Sequence, residues 1–217
     1  MKKFAFLSLL ILFSPEINSQ ITSEGPSAQF LFPNFSSGKV KMRNGEVHDL
    51  VMNYNTLSEK IVYKQNDKLY DLINQDLTDT IYLQDSKFIS SAGVLYQVLA
   101  NAKVPFFVHY KGKLLPPGTP AGYGENSQVS NTKLQTSFSS SSGNYNLELP
   151  ADYKVRIDLI YYFRKNDMFI SFSNQRELLK VLPDKADELK QFIKKNRIKF
   201  YNPSDIENLA QFYNKIN

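Results

Sequence analysis

The sequence predicts an α+β protein: mainly an antiparallel β-meander, forming a sheet or a partly open barrel or sandwich, with a small helical cap at the C-terminus. Three observations predict it. Between Gly38 and Lys111, short runs rich in Val, Ile, Tyr and Phe are divided by turn residues, as expected of strands that each bury one face. A longer alternating run follows from Tyr153 to Asp167. From Asn174 onward the apolar period changes from two to 3.6, the period of a helix with one buried face.

In chain order, the first segment is MKKFAFLSLLILFSPEINS, in which two lysines precede an apolar run that ends before Pro15 and a polar stretch. This is the pattern of a secretory signal peptide over 1–19, with cleavage expected after Ser19. The apolar run is shorter than the ~20 residues needed to cross a bilayer, and no later segment is apolar enough to do so, so no transmembrane segment is expected after cleavage. A β-rich domain is expected over 20–173. Its first hairpin signal is Asn44-Gly45, a pair suited to a two-residue type I′ turn. Asn66-Asp67, Asp85-Ser86 and the region from Ala100 to Ala102 are further turns, and about eight strands are expected between Gly38 and Lys111.

Residues 114–146 form a Pro/Gly/Ser-rich loop containing Pro116, Pro117, Gly118, Pro120, Gly122 and Gly124. After it, Val155, Ile157, Leu159, Tyr161 and Phe163 share one face of a strand that turns at Asn166-Asp167 into MFISFS. This hairpin either completes the same sheet or packs over it. The segment 174–217 is expected to be helical. Asn174 caps a short helix with Glu177 three residues on. A second helix carries Ala186, Leu189, Phe192 and Ile193 on one face, with Asp184 and Asp187 early and Lys194 and Lys195 late, as the helix dipole favours. A third starts at Asn202-Pro203 and carries Ile206, Leu209, Ala210, Tyr213 and Ile216.

Composition excludes several chemistries. The net charge of +5 falls to +4 without the leader and is spread along the chain, whereas a nucleic-acid binder concentrates its basic residues; no nucleic-acid partner is expected. Cysteine is absent, so stability in an oxidising compartment must come from burial. With His48 and His109 as the two histidines, no zinc spacing exists, and no metal or cofactor is expected. His48 shares a strand face with Leu50, Met52 and Tyr54 and reads as a packing or rim residue. Gly-x-Ser-x-Gly, phosphate-loop and EF-hand patterns are all missing. Asp71, Asp76 and Asp79 could cleave a glycosidic bond if paired in space, but they fall at a strand end and a turn, where Asp serves the backbone.

The stretches FLFPNFSSGKVKMRNGEVHDLVMNYNTLSEKIVYKQNDKLYDLINQDLTDTIYL and LLKVLPDKADELKQFIKKNRIKFYNPSDIENLAQFYN resemble an uncharacterised family of exported Gram-negative bacterial proteins, a β-meander followed by a Lys-rich helical tail. The resemblance implies export and this architecture, and brings no catalytic residue. The expected function is a non-enzymatic binding or structural module of the cell envelope, with an envelope protein or a glycan as partner. The alternative is a hydrolase acting on carbohydrate or peptide, built on the acids at Asp71 to Asp79 or on His109. The binding residues expected are His109 and, at the rim of a proline-stiffened loop, Tyr123, Glu125 and Asn126.

Overall fold

A computed structural model describes residues 20–24, 27–115, 119–120, 126–127, 149 and 153–217. Its hairpins follow local turn chemistry. Asn66 and Asp67 both take positive φ (50° and 57°), as do Asn166 and Asp167 (51° and 58°), the backbone of a type I′ turn. Asn44-Gly45 behaves differently. Met42 N–H donates to Glu46 O at 2.8 Å, and Gly45 alone has positive φ (94°). The loop therefore holds three residues and closes through a left-handed glycine.

The strands are β1 (Gln20–Glu24), β2 (Ser36–Met42), β3 (Val47–Asn55), β4 (Lys60–Gln65), β5 (Lys68–Asp71), β6 (Thr78–Leu83), β7 (Ser86–Ser91), β8 (Val94–Ala100), β9 (Phe106–Leu115), β10 (Thr119–Pro120), β11 (Asn126–Ser127), β12 (Lys154–Lys165) and β13 (Met168–Phe172). All but β10 and β11, which pair with each other, belong to one antiparallel sheet of order β1-β12-β9-β8-β7-β6-β2-β3-β4-β5, with β13 also on β12. The region therefore holds two meanders, β2 to β5 and β6 to β9. After β5 the chain crosses back so that β6 lies beside β2. The β12–β13 hairpin completes this same sheet, with β1 and β13 dividing one edge of β12 between them.

The sheet wraps round without closing. In the strand order β3 stands five positions from β9, roughly 24 Å if neighbours were flat at ~4.8 Å. Yet Tyr54 Oη donates to Tyr110 O at 3.1 Å, their rings lie 6.1 Å apart, and Gly112 N–H donates to Thr56 O at 2.8 Å. The β3–β4 turn thus closes on the half of β9 that β8 does not reach. Gly112 permits the approach, since a Cβ there would stand 2.6 Å from Thr56 Oγ1 and 3.0 Å from its carbonyl carbon.

The inner face of the wrap is the core. It takes Val155, Ile157, Leu159, Tyr161 and Phe163 from β12, all nearly fully buried, together with Met52, Tyr54, Phe88 and Phe106. Helices α1 (Gln175–Val181), α2 (Ala186–Asn196) and α3 (Pro203–Ile216) cover one end of it. Asn174 Oδ1 caps α1 by accepting from Glu177 N–H, and Glu177 returns a carboxylate oxygen to Ser173 N–H. Asn202 Oδ1 caps α3. Ile206, Leu209, Ala210 and Tyr213 face inward, and Asn214 both accepts from Val104 N–H (2.7 Å) and donates to Val104 O (2.9 Å). Among the described residues no helix is long and apolar enough to cross a membrane.

Candidate functional site: the outer face of β8, β9, β12 and β13

Strand alternation decides what the back of the sheet carries. On β12 the odd positions from Val155 to Phe163 are buried in the core, so Arg156, Asp158, Ile160, Tyr162 and Arg164 face outward. Register places Lys113 beside Arg156, Lys111 beside Asp158, His109 beside Ile160, Phe107 beside Tyr162, and Phe169 of β13 beside Arg164. A polar β-face would be ordinary here. Instead one end is aromatic and the other charged.

At the aromatic end, Tyr96 of β8 stacks on Phe169 (4.9 Å between centroids) and meets Tyr162 edge-on (5.2 Å) and His109 obliquely (5.8 Å). Phe107 packs against Tyr96 and Phe169. Offset-stacked and edge-on rings are the favoured aromatic geometries. Phe107 and His109 are buried beneath the cluster, whereas Tyr96, Tyr162 and Phe169 remain half-buried.

At the charged end, His109 Nε2 lies 2.9 Å from Glu59 Oε2, and Lys111 Nζ 3.5 Å from Glu59 Oε1. Glu59 comes from the β3–β4 turn. Asn55 Oδ1 accepts from Leu57 and Ser58 N–H, and Glu59 takes positive φ (57°), so the turn delivers its carboxylate across the seam to β9. Burial pushes the Glu59 carboxyl up, but the hydrogen bond and charge of His109 and the charge of Lys111 outweigh it and hold the group below the ordinary carboxylate value. Burial raises the Tyr96 hydroxyl, with Glu59 adding to the effect. Lys113 and Arg156 pair with Asp158 at 2.7 and 3.2 Å.

Of the residues expected from sequence, His109 lies at the junction of the two ends. Tyr123 and Glu125 lie outside the described residues. Asn126 belongs to β11, opposite Pro120 in the β10–β11 pair. Leu114 and Leu115, which the sequence assigns to the loop, extend β9 and pair with Val155 and Lys154. His48 is exposed at the rim, 3.8 Å from Glu46. Asp79 pairs with Lys41 at 3.6 Å, and Asp71 is buried on the edge strand opposite Val62.

A histidine held by a carboxylate can accept and release a proton. Among the described residues no serine or threonine is hydrogen-bonded to His109, and no group of three or more His, Cys, Asp or Glu is placed to hold a metal ion. What the face offers is an apolar centre with charges around it. Glu59, Tyr96, Tyr162 and Phe169 were not legible as site residues. Tyr162 left one signal, the one aromatic on the outward side of the β12 repeat, whereas Glu59 is fifty residues from His109 and nothing local joins them. No family model, no curated protein and no solved structure matches the chain.

Proposed function

We propose that the protein is a non-enzymatic binding module of the cell envelope, and that the outer face of β8, β9, β12 and β13 contacts an envelope protein. One observation carries the reading: Tyr96, Tyr162 and Phe169 form a half-buried aromatic centre on a sheet face, bordered by Lys111, Lys113, Arg156 and Arg164. Protein interfaces have this anatomy, with aromatic anchors at the centre and a charged rim that steers the partner. Glu59 and Asp158 neutralise part of this rim, and the cationic excess that remains, Arg164 included, calls for acidic residues on the partner.

The test is capture from an envelope extract on the immobilised protein. The wild type is expected to retain a protein that Tyr162→Ala loses at an unchanged melting temperature. Equal retention by the two would refute the face, and retention of glycan alone would refute the partner class. A hydrolase is the second reading, favoured by the 2.9 Å His109–Glu59 pair. Turnover of a glycan or peptide substrate that disappears in His109→Asn would transfer the account to it.

Envelope location is part of the proposal. It is supported by the leader pattern of Met1 to Ser19.

A further inference from the structure

A second site, independent of the outer face, lies under the crossover between the two meanders. To pass from β5 to β6 the chain must cross β4, β3 and β2. Leu72 N–H donates to Ile61 O at 2.8 Å, and Gln75 Nε2 donates to Glu59 O (3.1 Å) and Gly93 O (2.9 Å), which pins the crossing at both ends. Between the crossing and the sheet lies a cavity of about 320 Å³. Val40, Met42, Leu50 and Tyr63 line it from the sheet, and Leu72 and Ile73 from the crossing. Ile73 is 58% exposed, so an apolar side chain stands at the cavity's opening.

The polar groups around the cavity define what would fit. His48, Gln65 and Asn74 also line it. Asp71 does so too, but both its carboxylate oxygens are sealed from solvent and unpaired. Its register with Val62, opposite in alternation to Tyr63, turns that side chain to the other side of the sheet. The acid therefore does not supply a charge to the cavity. The imidazole of His48 already lies 3.8 Å from Glu46, whose negative charge opposes an anion at that side. What remains is an apolar body with neutral amide donors and acceptors, the combination that characterises small-molecule sites.

We propose that this cavity binds a small neutral amphiphile: an aliphatic or aromatic body with one hydrogen-bonding head held by Gln65, Asn74 or His48. At about 320 Å³ the cavity lies at the small end of the range of ligand pockets, which fits a fragment-sized molecule. The probe of choice is 1-octanol, with octanoate as the charged control, followed by methyl-detected NMR of the full-length protein. Saturable shifts at Met42, Leu50, Leu72 and Ile73 are expected, with octanoate binding at least tenfold more weakly. Leu50→Phe should fill the cavity and abolish the shifts. Ile73→Asp, at an exposed position that leaves the fold intact, should weaken octanol at least tenfold. Shifts that do not saturate up to the solubility of octanol, shifts confined to other methyls, or unchanged binding by Ile73→Asp would overturn the site. Equal binding of octanoate would overturn the neutral head.

Discussion

Removing α3 should unfold the protein rather than shorten it. The perturbation is a stop after Asn202. It deletes Ile206, Leu209 and Tyr213, each at most 1% exposed, and the two hydrogen bonds by which Asn214 clamps Val104. Burial of a large apolar side chain contributes about 1.5–3 kcal/mol, so the three together contribute about 5–9 kcal/mol. A whole domain of this kind is stable by only about 5–15 kcal/mol. Phe106, now 5.8 Å from the Tyr213 ring, would be left facing water. The assay is urea unfolding followed by far-UV circular dichroism, with Leu209→Ala as the milder companion. That substitution should cost about 2–5 kcal/mol and lower the melting temperature by about 4–20 °C at 2–4 °C per kcal/mol. A truncated chain with an unchanged urea midpoint would refute the claim that the helices complete the core.

Gly112→Ala should destabilise by about 1–3 kcal/mol through overpacking at the seam, because its Cβ would meet the Thr56 backbone; thermal unfolding checks this, and no change would mean the seam yields. Glu59→Gln should cost about 1–2 kcal/mol at neutral pH after allowance for partial exposure. Since the Glu59 carboxyl is held below its ordinary value, its contribution is present above the unfolded-state value and fades as pH falls through the folded-state one, so wild type and variant should converge in acid. Asp71 has the opposite sign. Burial raises it, Lys60 offsetting only part, so its ionisation removes stability as pH rises through the folded-state value; Asp71→Asn should raise the melting temperature at neutral pH, and a lower one would show that Asp71 has a partner. Intact mass of envelope-derived protein should begin at Gln20, and a mature species retaining Met1 would contradict export with cleavage.

Local features of the fold were legible because they rest on near neighbours. The alternation of Val155 to Phe163 marks which face of β12 is buried, and the stripes of α2 and α3 mark theirs. Asn66-Asp67 and Asn166-Asp167 declare their turns because they tolerate positive φ. Long-range choices were not legible. Placing β6 beside β2 depends on how Val40 and Ile81, or Gly38 and Leu83, pair across the crossover, and no local propensity encodes that. The same holds for the site. His109 could be singled out as a rare residue on a strand face. Its partner Glu59 arrives only because the sheet wraps far enough for a turn to reach β9 at Gly112. At Asn44-Gly45 the residue pair pointed to a two-residue turn, but the Met42–Glu46 hydrogen bond sets the loop one residue longer.

Amide hydrogen exchange of the full-length protein, with and without the envelope fraction it retains, tests the proposed contact face most directly. Added protection is expected in 94–98, 107–111, 160–164 and 168–171, with α2 and α3 unchanged. Protection confined to the helices, or none in those strands while the partner stays bound, would contradict it.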